Sequence, residues 1–404
     1  MAPVVRRHLR ARIALAACFA VALLLTPAAQ TRAPGRLVAI GDVHGAYPQF
    51  VALLQHIGLI DAKLNWIGGS TVLVQTGDVI DRGTESRASL DLLMSLERQA
   101  PRKGGQVIPL LGNHEVLNLI GQLAFVTPDI YTTFADSGSN ARRQQAYADY
   151  LAILGAHDGH GHSLAPPTSD EARTSWMEAH PLGFVEHRDA FGPKGTYGRW
   201  LRRRHAVVQI GDGVFVHGGL SPTLRMSSVK ELDDRMRAEL PVFDTIWQGL
   251  VDARIIWRYM TLVEAARFVT EETAWLAKSG RPVPPATDTA MKRLVDVDSW
   301  MAGLRPNGPL WYRGLAEPPD EALSTGLTDM LARLRARYLV VGHTPQANRE
   351  IGTNLGGRVF LIDTGMLPPV YNGRATALEI RNGHFAALST DRPPMELPPP
   401  SASK

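Results

Sequence analysis

Five short stretches of this chain close on residue types that hold cations or move protons: VAIGDVH (38–44), QTGDVIDR (75–82), LLGNHE (110–115), VHGG (216–219) and VGHT (341–344). They supply Asp42, His44, Asp78, Asp81, Arg82, Asn113, His114, His217 and His343. Carboxylates, imidazoles and one amide oxygen make a mixed nitrogen and oxygen donor set. Such a set suits manganese, iron, zinc or a similar divalent ion and not a soft thiolate site. If Asp78 bridges, two ions sit roughly 3.5–4 Å apart, the spacing used for phosphoryl transfer. Each residue singly has an ordinary reading, since an aspartate after a strand often caps the next helix. Five strand-end loops carrying ligand types in one chain are harder to explain that way.

The elements that must position these groups are legible around them. RLVAIGD (36–42), TVLVQTGD (71–78) and GQVIPLLGNHE (105–115) are short apolar runs that end in glycine and then turn polar. Between them, AYPQFVALLQHIG and SRASLDLLMSLERQA carry apolar residues at helical spacing. Alternation of strand and helix implies parallel strands with right-handed crossovers, and the carboxyl ends of such strands gather functional groups. The first three loops are therefore expected on one edge of one sheet. HAVVQIGDGVFVHGG (205–219) reads as a hairpin, and strands return at RYLVVGHT (337–344), GRVFLIDTG (357–365) and RATALEI…HFAALS.

Two blocks, about 123–204 and 223–307, are mostly helical and read as insertions into a domain spanning 36–390, the first as a cap over the site. DRPPMELPPPSASK, about 391–404, reads as a disordered tail. HDGHGH puts His157, His160 and His162 in a glycine-rich stretch that reads as a solvated loop, since no carboxylate beyond Asp158 is evident near it. RWLRRRH (199–205) reads as a solvated helix end, Asp212 as a structural turn residue, and Trp257, Tyr259, Trp311 and Tyr312 as core, with Tyr312 near the cleft.

The N-terminus is separate in texture. MAPVVRRHLRAR, IALAACFAVALLL and TPAAQ follow the basic, apolar and small-residue order of a secretory signal peptide over residues 1–29. An uncleaved anchor and lipid attachment at Cys18 are the rivals. Export to the periplasm or medium of a bacterial cell is the expectation, with no stable membrane span after cleavage. The whole chain has 43 basic and 39 acidic residues. Without Arg6, Arg7, Arg10 and Arg12 the balance is even, so the charge offers no argument for nucleic acid. Cys18 is the only cysteine, so the mature chain needs no disulfide framework.

GDVHG (41–45), GDVIDRG (77–83), GNHE (112–115), HGG (217–219) and GHT (342–344), in that order, resemble the calcineurin-like metallophosphoesterase superfamily. The DRG and GNHE forms resemble its PPP-type serine/threonine phosphatase branch. LLGNHEVLNL, VHGGLSP, GPLWYRG and LIDTGM resemble the Shewanella-like protein phosphatases. The matched blocks cover about half of the mature chain. The resemblance implies an α/β fold, a calcineurin-like two-sheet β-sandwich flanked by helices, with two divalent metal ions (Mn, Fe or Zn). It implies one ion held by Asp42, His44 and Asp78, and the other by Asp78, Asn113, His217 and His343. It also implies His114 as the acid, oriented by Asp81, with Arg82 and Asn113 on the phosphate and Arg313 as a second clamp. Where eukaryotic PPP members carry SAPNY, this chain has LIDTGMLPP with Tyr371 shortly after. Their toxin sensitivity and substrate preference therefore do not carry over.

A phosphomonoester dianion repels nucleophiles, so two cations and two arginines suit it, and an alkoxide leaving group needs a proton donor such as His114. The expected substrate is a phosphorylated protein, phosphotyrosine or phosphoserine/threonine, or a small phosphomonoester. A hydrolase of dinucleoside polyphosphates or other nucleotides on the same fold, and a non-catalytic phosphate-binding protein, are the alternatives.

Overall fold

The computed structural model describes residues 34–163 and 169–401. Residues 1–29, expected to be a signal peptide, and Cys18 lie outside them. Among the described residues, eleven strands form two sheets. The first contains β1 (Leu37–Ile40), β2 (Val72–Gln75), β3 (Gln106–Pro109), β9 (Thr376–Arg381), β10 (His384–Ser389) and β11 (Arg392–Leu397), in the order β11-β10-β9-β1-β2-β3. The second contains β4 (Val207–Ile210), β5 (Gly213–Val216), β6 (Tyr338–Val341), β7 (Gly352–Asn354) and β8 (Val359–Leu361), in the order β4-β5-β6-β8-β7.

Within the first sheet β1, β2 and β3 are parallel, and within the second β5, β6 and β8 are parallel. All four residues of β1 are buried because the strand is covered on both faces. Its pleat sends Leu37 and Ala39 into the layer shared with Phe215, Val340 and Phe360 of the other sheet. Val38 and Ile40 point the other way, with Phe50, Leu53 and Leu54 of helix α1 (Tyr47–His56) and Leu93 of helix α2 (Ser86–Gln99). The two-sheet α/β sandwich flanked by helices is thus the fold.

Helix α3 (Asn113–Ile120) follows β3 directly, so its first residues stand at the sheet edge beside the ends of β1 and β2. Among the described residues, the stretch 123–204 contains five helices, the longest Ser139–Ala156. The stretch 223–307 carries Val229–Asp252 and Leu262–Ser279. The two stretches share an aromatic core in which Trp257 packs 5.4 Å from Tyr150 and 5.8 Å from Trp176, ring centre to ring centre. No helix among the described residues is long and apolar enough to cross a membrane.

Three expectations need correction. Residues 392–397 are not a disordered tail but strand β11, antiparallel to β10 at the sheet edge. Pro393 and Pro394 fall where the register shifts between Ala387 and Ser389, and an edge strand tolerates prolines at such a bulge. The proline-rich composition therefore marked an edge and not disorder. His157, His160 and His162 are not a solvated loop, because Glu272 of the helix Leu262–Ser279 stands among them. Nor is RWLRRRH free in solvent: Arg202 grips both oxygens of Asp244 at 2.7 Å, and Arg204 pairs with Glu97. Asp212 does lie in the turn between β4 and β5, and its carbonyl accepts from the Arg337 amide at 2.7 Å.

Candidate active site

The parallel strands of both sheets direct their carboxyl ends to one place. Asp42 and His44 follow β1, Asp78 follows β2, and Asn113 and His114 open α3 after β3. His217 follows β5 and His343 follows β6. All seven side chains are buried. The backbone is bent hard to achieve this. His44, Asp78, Asp81, Arg82 and His343 have positive φ, five of the twelve such non-glycine residues among those described. Left-handed conformations disfavour a Cβ, and their concentration here marks a site whose shape the surrounding fold enforces. Gly77 lets two of the loops meet, since a Cβ there would stand 2.3 Å from the Gly112 nitrogen.

Asp78 is the centre. Its Oδ2 lies 3.6 Å from His44 Nε2 and 3.3 Å from His217 Nε2, while Oδ1 accepts from the His114 amide at 3.0 Å. On one side, His44 Nε2 also faces Asp42 Oδ2 at 3.7 Å. On the other, His217 Nε2 faces Asn113 Oδ1 at 2.9 Å and His343 Nδ1 at 3.1 Å. The expected ligand residues are therefore brought together as two sets that share Asp78.

The donor chemistry tests whether cations fit. His44 Nδ1 lies 2.9 Å from the Ile80 carbonyl and His217 Nδ1 lies 3.1 Å from that of Thr76. A carbonyl only accepts, so each Nδ1 carries a proton, and in the neutral ring, the form that ligates a metal, each Nε2 then presents a lone pair. Those lone pairs face carboxylate and amide oxygens, an arrangement that repels itself unless positive charge lies between. Burial lowers His44 to about 3 and His343 to about 2, so both rings are neutral, the form that ligates a metal. Asp42 is raised well above the usual carboxylate range by burial and by Asp363 and Asp78. Divalent cations fit this donor set.

Around the two sets stand His114, Asp81, Arg82 and Arg313. His114 Nδ1 is 2.8 Å from Asp81 Oδ2, and Asn118 Nδ2 donates to both oxygens of Asp81. Burial opposes charge on His114, but Asp78 and Asp81 outweigh it and raise its pKa. His114 Nε2 points to Arg82, 3.5 Å from its Nη2. The half-buried Arg82 guanidinium lies over Phe125 and Tyr371, at 5.1 and 5.5 Å from the ring centres. Arg313 donates to the His343 carbonyl at 2.7 Å. Neither arginine is paired with a carboxylate among the described residues.

Three further residues belong to the site. Asp363 follows β8, adjoins Asp42, and is pushed up to about 6 by burial. The signal was present, since LIDTG repeats the strand, aspartate and glycine layout of the other loops. Tyr371 stacks 5.7 Å from His44. Glu115, within GNHE, accepts from the amides of Asp78 at 2.8 Å, Val79 at 2.9 Å and Gly112 at 2.8 Å. It ties the β2 loop to the start of α3, so Glu115→Ala strands three buried N–H groups. That variant is expected to lose at least about 3 kcal/mol of unfolding free energy in urea titration. A loss under about 1 kcal/mol would mean that those amides find other partners.

Residues 35–347 match the family described as calcineurin-like phosphoesterase. The chain is 25% identical over 335 residues to the Shewanella-like protein phosphatase 1 of Plasmodium berghei, covering 82% of this chain and 67% of that one. It is 35% identical over 201 residues to the Shewanella-like protein phosphatase 2 of Arabidopsis thaliana, 46% of this chain and 47% of the relative. The crystal structure of a cold-active protein-tyrosine phosphatase from a psychrophilic Shewanella overlays 90% of this chain and 80% of its own. Its TM-score is 0.55 at 21% identity, a likeness of fold. With the motifs, the sandwich and the shared-aspartate site in place, the chain belongs to the calcineurin-like phosphoesterase family and is a metallophosphoesterase.

Proposed function

We propose that this protein is a phosphomonoester hydrolase dependent on two divalent cations (manganese, iron or zinc), acting on phosphorylated protein, with phosphotyrosine the first substrate to try. The observation that carries the reading is the pair of ligand sets sharing Asp78, with the unpaired guanidiniums of Arg82 and Arg313 nearby. Asp42, His44 and Asp78 would hold one ion, and Asp78, Asn113, His217 and His343 the other. Bound ions would supply charge neutralisation and acidify water toward neutrality.

The chain's own side chains do the rest. Planar guanidinium forks at Arg82 and Arg313 match phosphate oxygens in pairs, and the Asn113 amide adds a polar contact. Asp81 holds the His114 ring by Nδ1, which would leave Nε2 to deliver a proton to the ester oxygen of a bound substrate. Phe125 and Tyr371 flank Arg82 with apolar surface, which favours an aryl leaving group. The names of the Plasmodium and Arabidopsis relatives, both protein phosphatases, support the protein substrate.

The test compares kcat/KM on phosphotyrosine peptides, phosphoserine peptides, diadenosine tetraphosphate and p-nitrophenyl phosphate. Preference for a phosphopeptide over the nucleotide is the expected result. Preference for the nucleotide would replace this reading with the nucleotide hydrolase, and no turnover with metals bound would replace it with a phosphate-binding protein. Export is part of the proposal: intact mass of protein from the cell envelope should begin near Gln30.

A further inference from the structure

We propose that His157, His160, His162 and Glu272 form a third divalent-cation site, of the zinc class, separate from the catalytic cluster and structural in role. Glu272 Oε2 stands 2.8 Å from His162 Nε2, 2.9 Å from His160 Nδ1 and 3.3 Å from His157 Nδ1. One donor atom from each of the four residues lies within 4.8 Å of the others. Tetrahedral zinc with bonds of about 2.0–2.1 Å separates its ligand atoms by roughly 3.3 Å, so these contacts need to open by only a few tenths of an ångström.

Hydrogen bonding alone accounts for part of this arrangement. Neutral His160 and His162 can each donate a proton to the carboxylate. A neutral His157 cannot, because its Nε2 lies 2.9 Å from the Arg254 carbonyl and holds that ring's one proton there. Its Nδ1 lone pair then faces the Glu272 oxygen with no hydrogen-bond partner. That side chain is only 9% exposed, so water offers little relief, and a cation between the two groups does. Donation of the second ring nitrogen to a carbonyl is also how a metal-binding histidine is held. His162 Nδ1 is likewise buried without a hydrogen-bond partner, 3.5 Å from Glu271 Oε2.

The rings are set in place before any ion arrives. His160 stacks on Trp275 with ring centres 3.4 Å apart, and His162 on Phe268 at 3.8 Å. Gly159 and Gly161 take positive φ, which lets three imidazoles within six residues converge. Three imidazoles and one carboxylate, with no thiolate, match zinc better than calcium or magnesium. The ion would clip the loop after the helix Ser139–Ala156 to the helix Leu262–Ser279. The latter begins with Leu262 donating to the Gly121 carbonyl at the end of α3.

The experiment is metal content by mass spectrometry on the full chain, purified with zinc and desalted, for wild type, His160→Ala and Glu272→Gln. Each variant should hold about one equivalent less than wild type, with p-nitrophenyl phosphate turnover within about twofold. In an Asp78→Asn background, a zinc-dependent rise in melting temperature of roughly 3 °C or more should remain, and His160→Ala should abolish it. Equal metal content in wild type and both variants, or a zinc shift that survives His160→Ala, would overturn the proposal.

Discussion

Replacing Asp78 by asparagine is expected to lower p-nitrophenyl phosphate turnover by at least about 10³-fold. The same change should release most of the metal at the sheet edge. Among the described residues, a single oxygen of Asp78, Oδ2, faces the Nε2 atoms of both His44 and His217. Asparagine keeps its shape but removes the shared negative charge. Where its amide nitrogen replaces Oδ2, it puts N–H groups toward positions that two ions would otherwise occupy. Oδ1 can still accept from the His114 amide, so the fold should persist, with unchanged circular dichroism. Metal content and turnover are thus expected to fall together while the structure holds. Full activity in this variant would remove the shared-aspartate site as the seat of the chemistry.

The second large effect is selective. His114→Asn should reduce kcat on a phosphoserine peptide by roughly 10²–10⁴-fold, the usual worth of a positioned acid. On p-nitrophenyl phosphate the loss should be at least about tenfold smaller, because a stabilised phenolate leaves without a proton. The ring is well placed for the role, held by Asp81 at 2.8 Å, which Asn118 orients in turn. Asp81→Asn should show the same substrate pattern more weakly, since it loosens the ring without deleting it. Equal losses on aryl and alkyl esters would take His114 out of the acid role and leave it as a packing group.

Most of this site could be read along the chain because each ligand follows a strand, and a strand end leaves a local mark. The apolar run, the glycine and the polar residue lie within a few positions, and parallel sheets send such ends to one edge. Asp363 obeys the same grammar after β8 and could have been included on those grounds. Glu115 could not, since its role depends on amides from the β2 loop that only the fold places beside it.

The tail shows the opposite failure. Proline content argued for disorder, whereas pairing with β10 was available at an edge where missing N–H groups cost nothing. Composition describes what a segment could do alone, and edge pairing is a property of its neighbour.

By itself, then, the sequence determined the ligand types, their order, and the alternation of strands and helices that carries them. Only the tertiary structure decided that the ends of two different sheets meet around Asp78, and that Glu272 lies among three histidines of a distant loop. Strand and helix patterns are set by neighbours a few residues away, so they are written locally. Which sheets pack face to face, and which helix covers which loop, depends on burying surface between segments far apart in the chain, and no local spacing records that.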